Sequence, residues 1–164
     1  MRKLIYLFAI IMTTISCSNA QQNHFSEESL KETLINSEGK EVTFKDVLEK
    51  HKGKTLLIEV WASWCSDCVK AMPKVKEIQK NNLDVDYVFI SMDKSMEGWK
   101  SGINRHELVG DHYWVKDEKG MKGSFGKSID LNWIPRYIIV RGESEVTLYN
   151  ATEKDFDTIS KLLK

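Results

Sequence analysis

Cys65 and Cys68, separated by Ser66 and Asp67, are the residues of this chain best suited to do chemistry. Two cysteines at that spacing form half of a zinc site, an inert buried pair, or a thiol pair that exchanges disulfides. A structural zinc ion takes four ligands. The chain has no second cysteine pair, and His24, His51, His106 and His112 are scattered without ligand spacing, so no metal is expected. Disulfide exchange needs a thiolate. If Cys65 opens a helix, its sulfur meets unpaired backbone N–H groups and the positive end of the dipole, which favour the charged form. Cys68 then lies one turn deeper on the same face. This assigns Cys65 as nucleophile and Cys68 as the thiol that resolves the mixed disulfide.

Three neighbours bear on that chemistry. Glu59 interrupts an apolar run, and burial without a partner raises a carboxyl pKa. Such a group accepts and returns the proton of Cys68 through a water, unless it instead bonds Lys54 or another base. Asp67, next to the nucleophile, opposes ionisation of Cys65 by like charge. A less stabilised thiolate makes the dithiol a stronger reductant, so Ser66 and Asp67 are expected to tune the pair toward reduction. Trp64 is placed to line the site. Trp61 reads as core, Trp99 and Trp114 as packing, and Trp133 fits either role.

The elements that must position these residues follow from periodicity. Thr55 to Trp61 is a nearly continuous apolar run with β-branched residues, a central strand covered on both faces. From Ser66 the spacing of Val69, Met72, Val75 and Ile78 predicts a helix, with Pro73 inside it as a kink. Val85 to Ser91 is a second buried strand, and strand–helix–strand implies a right-handed crossover and a parallel pair. Upstream, Leu30–Ile35 and Lys40–Phe44 flank turn residues and predict a hairpin, followed by a short helix from Asp46 to His51. Downstream, Ser95 to Leu108 is a weaker helix, its propensity lowered by Gly98 and Gly102. A short strand at Tyr113–Val115 and an irregular helix at Met121–Ser128 come next. Strands Arg136–Val140 and Val146–Tyr149 turn about Gly142 as an antiparallel hairpin. Thr152 with Asp155 signals a cap for a final helix carrying Phe156, Ile159, Leu162 and Leu163. The sheet is therefore mixed and the fold class α/β.

With 164 residues, 41% hydrophobic and 29% charged, the chain suits one globular domain. Basic and acidic residues number 24 each. No basic surface is concentrated enough to favour nucleic acid. Arg2 and Lys3 precede a mainly apolar run, Leu4–Ile15, of signal-peptide size. Thr14-Ile15-Ser16-Cys17 resembles a relaxed lipoprotein box without its usual leucine, while Ser18-Asn19-Ala20 suits ordinary cleavage. Lipidation of Cys17 is favoured, giving a signal over residues 1–16 (or 1–20), a polar tether over 17–29 and a domain over 30–164. Either ending exports the protein.

Together these motifs resemble the thioredoxin-fold thiol–disulfide oxidoreductases, most of all the exported TlpA/ResA-like reductases, over about residues 30–164. Trp61-Ala62-Ser63-Trp64-Cys65-Ser66-Asp67-Cys68 matches the family's W-A-x-W-C-x-x-C. Glu59 falls where thioredoxins hold a buried acid, Pro73 where the active-site helix kinks, and Ile134-Pro135 where the family has an Ile–cis-Pro before a strand. The leading hairpin and the helix near residues 95–108 are what separate the subfamily from plain thioredoxin. The resemblance implies a three-layer fold, a redox-active Cys65–Cys68 disulfide with no other cofactor, and a cis Ile134–Pro135 bond that turns backbone toward Cys65 to pair with an extended substrate. It also implies protein disulfides as substrates and a membrane electron donor, and with the N-terminal segment it places the protein in a bacterial periplasm or envelope, lipid-anchored at Cys17. Two positions depart from the pattern. Ser66-Asp67 lacks the usual proline in second place, which bears on potential. Arg136 stands after the proline where a small residue is common, which bears on partner choice. Rival functions are a disulfide oxidase or isomerase, a thiol peroxidase (which would place Pro and Thr before Cys65), and a non-catalytic metal-binding or chaperone module.

Overall fold

A computed structural model describes residues 23–164. The expected signal and the first part of the tether, residues 17–22 with Cys17, lie outside the described residues. The chain order is α1 (Glu27–Leu30), β1 (Thr33–Asn36), β2 (Glu41–Thr43), α2 (Phe44–Lys50), β3 (Leu56–Trp61), α3 (Ser66–Asn81), β4 (Asp86–Ser91), α4 (Met96–His106) and β5 (Asp111–Trp114). A 3-10 turn (Gly120–Lys122), α5 (Ser124–Ser128), β6 (Arg136–Arg141), β7 (Glu145–Ala151) and α6 (Phe156–Leu162) complete it.

One seven-stranded sheet runs in the order β2-β1-β5-β4-β3-β6-β7. All six residues of β3 are buried. The reason is its position: β4 pairs with it in parallel and β6 antiparallel, from Leu56 opposite Asp86 and Val140 to Val60 opposite Ile90 and Arg136. An apolar run with β-branched residues suits a strand covered on both faces. The expected β3–α3–β4 crossover and the hairpin about Gly142 (φ 54°) are both present, so the sheet is mixed and flanked by helices, as the α/β reading requires. The leading hairpin turns at Gly39, whose φ of 83° favours glycine. It joins the sheet through β5, with Ile35 opposite Trp114.

Two expectations change at element ends. The polar tether does not extend to residue 29. Phe25 is buried against Phe44, ring centroids 4.7 Å apart, and Ser26 caps α1 by accepting the Ser29 amide. Burying one aromatic side chain holds this segment on the domain despite its polar composition. Thr152 also does not cap α6 directly. Its amide and hydroxyl both donate to the Asp155 carboxylate, forming a turn ahead of the helix, which starts at Phe156.

Candidate active site

β3 ends at Trp61, and the chain turns through Ala62, Ser63 and Trp64 into α3. Cys65 is the N-cap of that helix, with extended backbone, and its sulfur accepts the Cys68 amide at 3.1 Å. One first-turn N–H that has no helical partner therefore points at this sulfur, at the positive end of the helix dipole. Cys65 and Cys68 are joined as a disulfide, S–S 2.16 Å. Cys65 is 7% exposed and Cys68 0%, so an incoming partner can reach only the first. The helix runs on through Pro73 to Asn81.

The Ile134–Pro135 bond is cis, and the Ile134 carbonyl oxygen lies 3.6 Å from the Cys65 sulfur. Thus two segments 69 residues apart meet at the disulfide. Trp64 and Trp133 precede Cys65 and Ile134 and are 55% and 52% exposed, which leaves an indole beside each. Trp61 and Trp99 are wholly buried, and Trp99 stacks on Trp114 with centroids 6.3 Å apart. The position of Trp133 beside Ile134 settles on the surface side the alternative that its sequence leaves open.

Asp67 is partly exposed and turns toward Lys70, 3.5 Å away, while Ser66 faces water. An exposed pair of this kind contributes little to stability but offsets part of the negative charge beside Cys65. Glu59 is 2% exposed. Its Oε1 accepts from the Tyr137 hydroxyl at 3.4 Å, and its Oε2 has no partner. Lys54 is not its partner: that ammonium bonds Asp86 at 3.1 Å, at the far end of β3. Burial pushes the Glu59 carboxyl up to about 8, and the Tyr137 hydrogen bond only partly opposes it. Burial, and then the charge of Glu59, hold the Tyr137 phenol far above its ordinary value.

Two supports of the loop carry no obvious mark in the sequence. Asp93, just past β4 and 3% exposed, accepts the Ser63 amide at 3.1 Å, the Ser63 hydroxyl at 2.6 Å and the Ser91 hydroxyl at 2.8 Å. Its own carbonyl accepts the Trp114 indole N–H at 2.7 Å. Gly102 of α4 lies so close to the loop that a Cβ there would stand 2.6 Å from the Ser63 Cβ. The glycine that weakens α4 as a helix is what lets it approach. A Ser-x-Asp pattern at the end of a buried strand is the signal that could have found Asp93. Gly102 had none. Among the described residues, no three His, Cys, Asp or Glu side chains gather as metal ligands.

Comparison with known proteins agrees with this geometry. The Thioredoxin-like family model matches residues 53–146, from the approach to β3 through the start of β7. The thiol-disulfide oxidoreductase ResA of Bacillus thuringiensis subsp. konkukian is 23% identical, over 100% of this chain and 98% of its own. The thiol:disulfide interchange protein DsbE of Haemophilus influenzae is 26% identical, over 87% and 82%. A thiol-disulfide oxidoreductase structure from Bacteroides fragilis superposes with a TM-score of 0.65 at 21% identity, covering 83% of this chain and 99% of that one, a likeness of fold. With a family match across more than half its length, this chain belongs to the thioredoxin-like family.

Proposed function

We propose that this protein reduces protein disulfides in the bacterial cell envelope, by exchange at Cys65 and Cys68. Thiol–disulfide oxidoreduction is the chemistry of the pair. The observation that carries the reading is a disulfide at the N-terminus of α3, reachable through Cys65 and faced by the Ile134 carbonyl. In the reduced protein, the Cys65 thiolate attacks one sulfur of a substrate disulfide and expels the other as a thiolate, which takes up a proton. The Cys68 thiol then loses its proton and attacks Cys65. The substrate's second thiolate leaves, and the Cys65–Cys68 disulfide closes. Glu59 is the proposed acceptor of the Cys68 proton, since a carboxyl near 8 with one bare oxygen exchanges protons close to neutral pH. Trp64, Ile134 and Pro135 form the proposed docking edge.

The reducing direction is supported by Asp67 in the first turn of α3, which works against the dipole at Cys65. The envelope is supported by the apolar N-terminal run and by Cys17, the proposed lipid anchor. An oxidising compartment would spend the dithiol, so a membrane electron donor must restore it. No helix among the described residues is long and apolar enough to cross a membrane.

Cys68→Ser tests the chemistry. The variant is expected to accumulate a covalent complex through Cys65, released by dithiothreitol and identified by mass spectrometry. Absence of any trapped disulfide partner would overturn the exchange mechanism. Equilibration of the unsubstituted protein with glutathione tests the direction, and an oxidising potential would overturn the reductase assignment.

A further inference from the structure

Arg136 follows the cis proline, at a position expected to bear on partner choice. It does not meet a partner directly: the residue is 3% exposed. Its backbone is tied into the sheet opposite Val60, but its side chain reaches back across the cis bond. Nη2 donates to the Asn132 Oδ1 at 2.8 Å and to the Asp130 carbonyl at 3.4 Å, while Nη1 is buried without a partner. Among the described residues no carboxylate forms a salt bridge with it. Burying a guanidinium against only neutral oxygens is costly, and an apolar side chain would avoid that penalty. Stability therefore does not account for an arginine at this position.

What the arginine spans does account for it. Residues 132 to 134 lie outside the paired strands, yet this stretch presents Trp133 to solvent and the Ile134 carbonyl to the Cys65 sulfur. Asp130, where the loop begins, has a left-handed backbone (φ 50°), uncommon for a non-glycine residue though one that aspartate tolerates. Leu131 is fastened behind it by its amide to the Gly126 carbonyl at 2.7 Å. The guanidinium bridges the sheet and this free stretch, so the loop is held from both ends. Docking by backbone pairing requires placement to within about half an ångström.

We propose that Arg136 is a positioning residue for substrate docking: through Asn132 and the Asp130 carbonyl it holds the Trp133–Ile134 backbone in place for an extended, disulfide-bearing polypeptide. The inference rests on the oxidoreductase reading and names the kind of substrate that the site favours. A polypeptide uses the loop, whereas a small disulfide with no backbone to pair does not.

The experiment compares kcat/KM on a disulfide-bridged peptide with kcat/KM on hydroxyethyl disulfide, for the unsubstituted protein, Arg136→Lys and Asn132→Ala. Lysine keeps the charge without the fork. Asn132 is exposed, so its truncation removes the acceptor without emptying the core. The ratio of peptide to small-disulfide kcat/KM is expected to fall about tenfold in each variant, carried by KM, as the loss of one charge-assisted hydrogen bond would give. The double variant is expected to be no worse than Arg136→Lys alone. An unchanged ratio in Asn132→Ala, or additive losses in the double variant, would overturn the proposal. If the unsubstituted protein reduced neither disulfide, the oxidoreductase reading and this inference would fall together.

Discussion

Glu59, on β3, and Asp93, just past β4, are both carboxylates withdrawn from water, at 2% and 3% exposure, and the fold treats them in opposite ways. Asp93 accepts hydrogen bonds at both oxygens, from a backbone amide and two hydroxyls. Glu59 receives one long bond from Tyr137 and leaves Oε2 bare. Burial is the same, so the number of donors decides what each group does. A satisfied carboxylate anchors, and an undersatisfied one keeps a proton that it can give away. The Cys65 loop is thus anchored through Asp93, while Glu59 remains the proposed proton acceptor.

The largest consequence concerns the anchor. Asp93→Ala leaves the Ser63 amide and the Ser91 hydroxyl without their acceptor. It should destabilise the domain by about 4 kcal/mol, the loss typical of a broken buried network. Urea denaturation measures this, and a loss under about 1 kcal/mol would mean that Asp93 is no anchor.

Glu59→Gln should act with the opposite sign on stability. The folded carboxyl sits near 8 against 4.5 for the free group. Between those values the native state holds a proton that the unfolded chain has released, so the native protein loses stability as pH rises through that window, and the loss levels off above about 8. The glutamine variant escapes this. It should match the parent near pH 4 and exceed it by about 3 kcal/mol at pH 7. Release of trapped partner by Cys68 should meanwhile slow on the order of a hundredfold and lose its pH inflection. Stability curves that run parallel at both pH values would show that Glu59 is not held protonated.

Tyr137→Phe makes the smallest change and separates the two carboxylates most finely. The phenol lowers the Glu59 value, so its removal should raise the inflection from about 8 by roughly half a pH unit, with little change in fold, since one long hydrogen bond contributes about 1 kcal/mol or less. A pH–rate profile of resolution reads this directly. A downward shift would show that Tyr137 does not donate to Glu59.

Much of the framework is legible along the chain. The Cys65–Cys68 spacing, the continuous apolar runs of β3 and β4, the near-four periodicity of the helix beginning at Ser66 and the glycine turn at Gly142 are all local patterns, which neighbouring residues carry. The oddity of Glu59 is visible too, because an acid in a continuous apolar run stands out. The partners of these residues are not legible. Tyr137 lies 78 positions from Glu59 and Asp93 lies 30 from Ser63; nothing local distinguishes this tyrosine, and the Ser-x-Asp pattern that marks Asp93 does not name Ser63 as its partner. Phe25 reads as part of a polar tether until its ring is placed on Phe44. Gly102 reads as a weak point in a helix, and Arg136 as a residue that faces partners.

The candidate cysteine pair, and the strand and helix that position it, follow from residue type and spacing, because a helix and a strand are local structures. Which carboxylate is left short of donors, which glycine admits the loop and where the Arg136 guanidinium points depend on strand register and helix packing. Those are fixed only when segments far apart in the chain close on one another, and they determine how the Cys65–Cys68 pair is held.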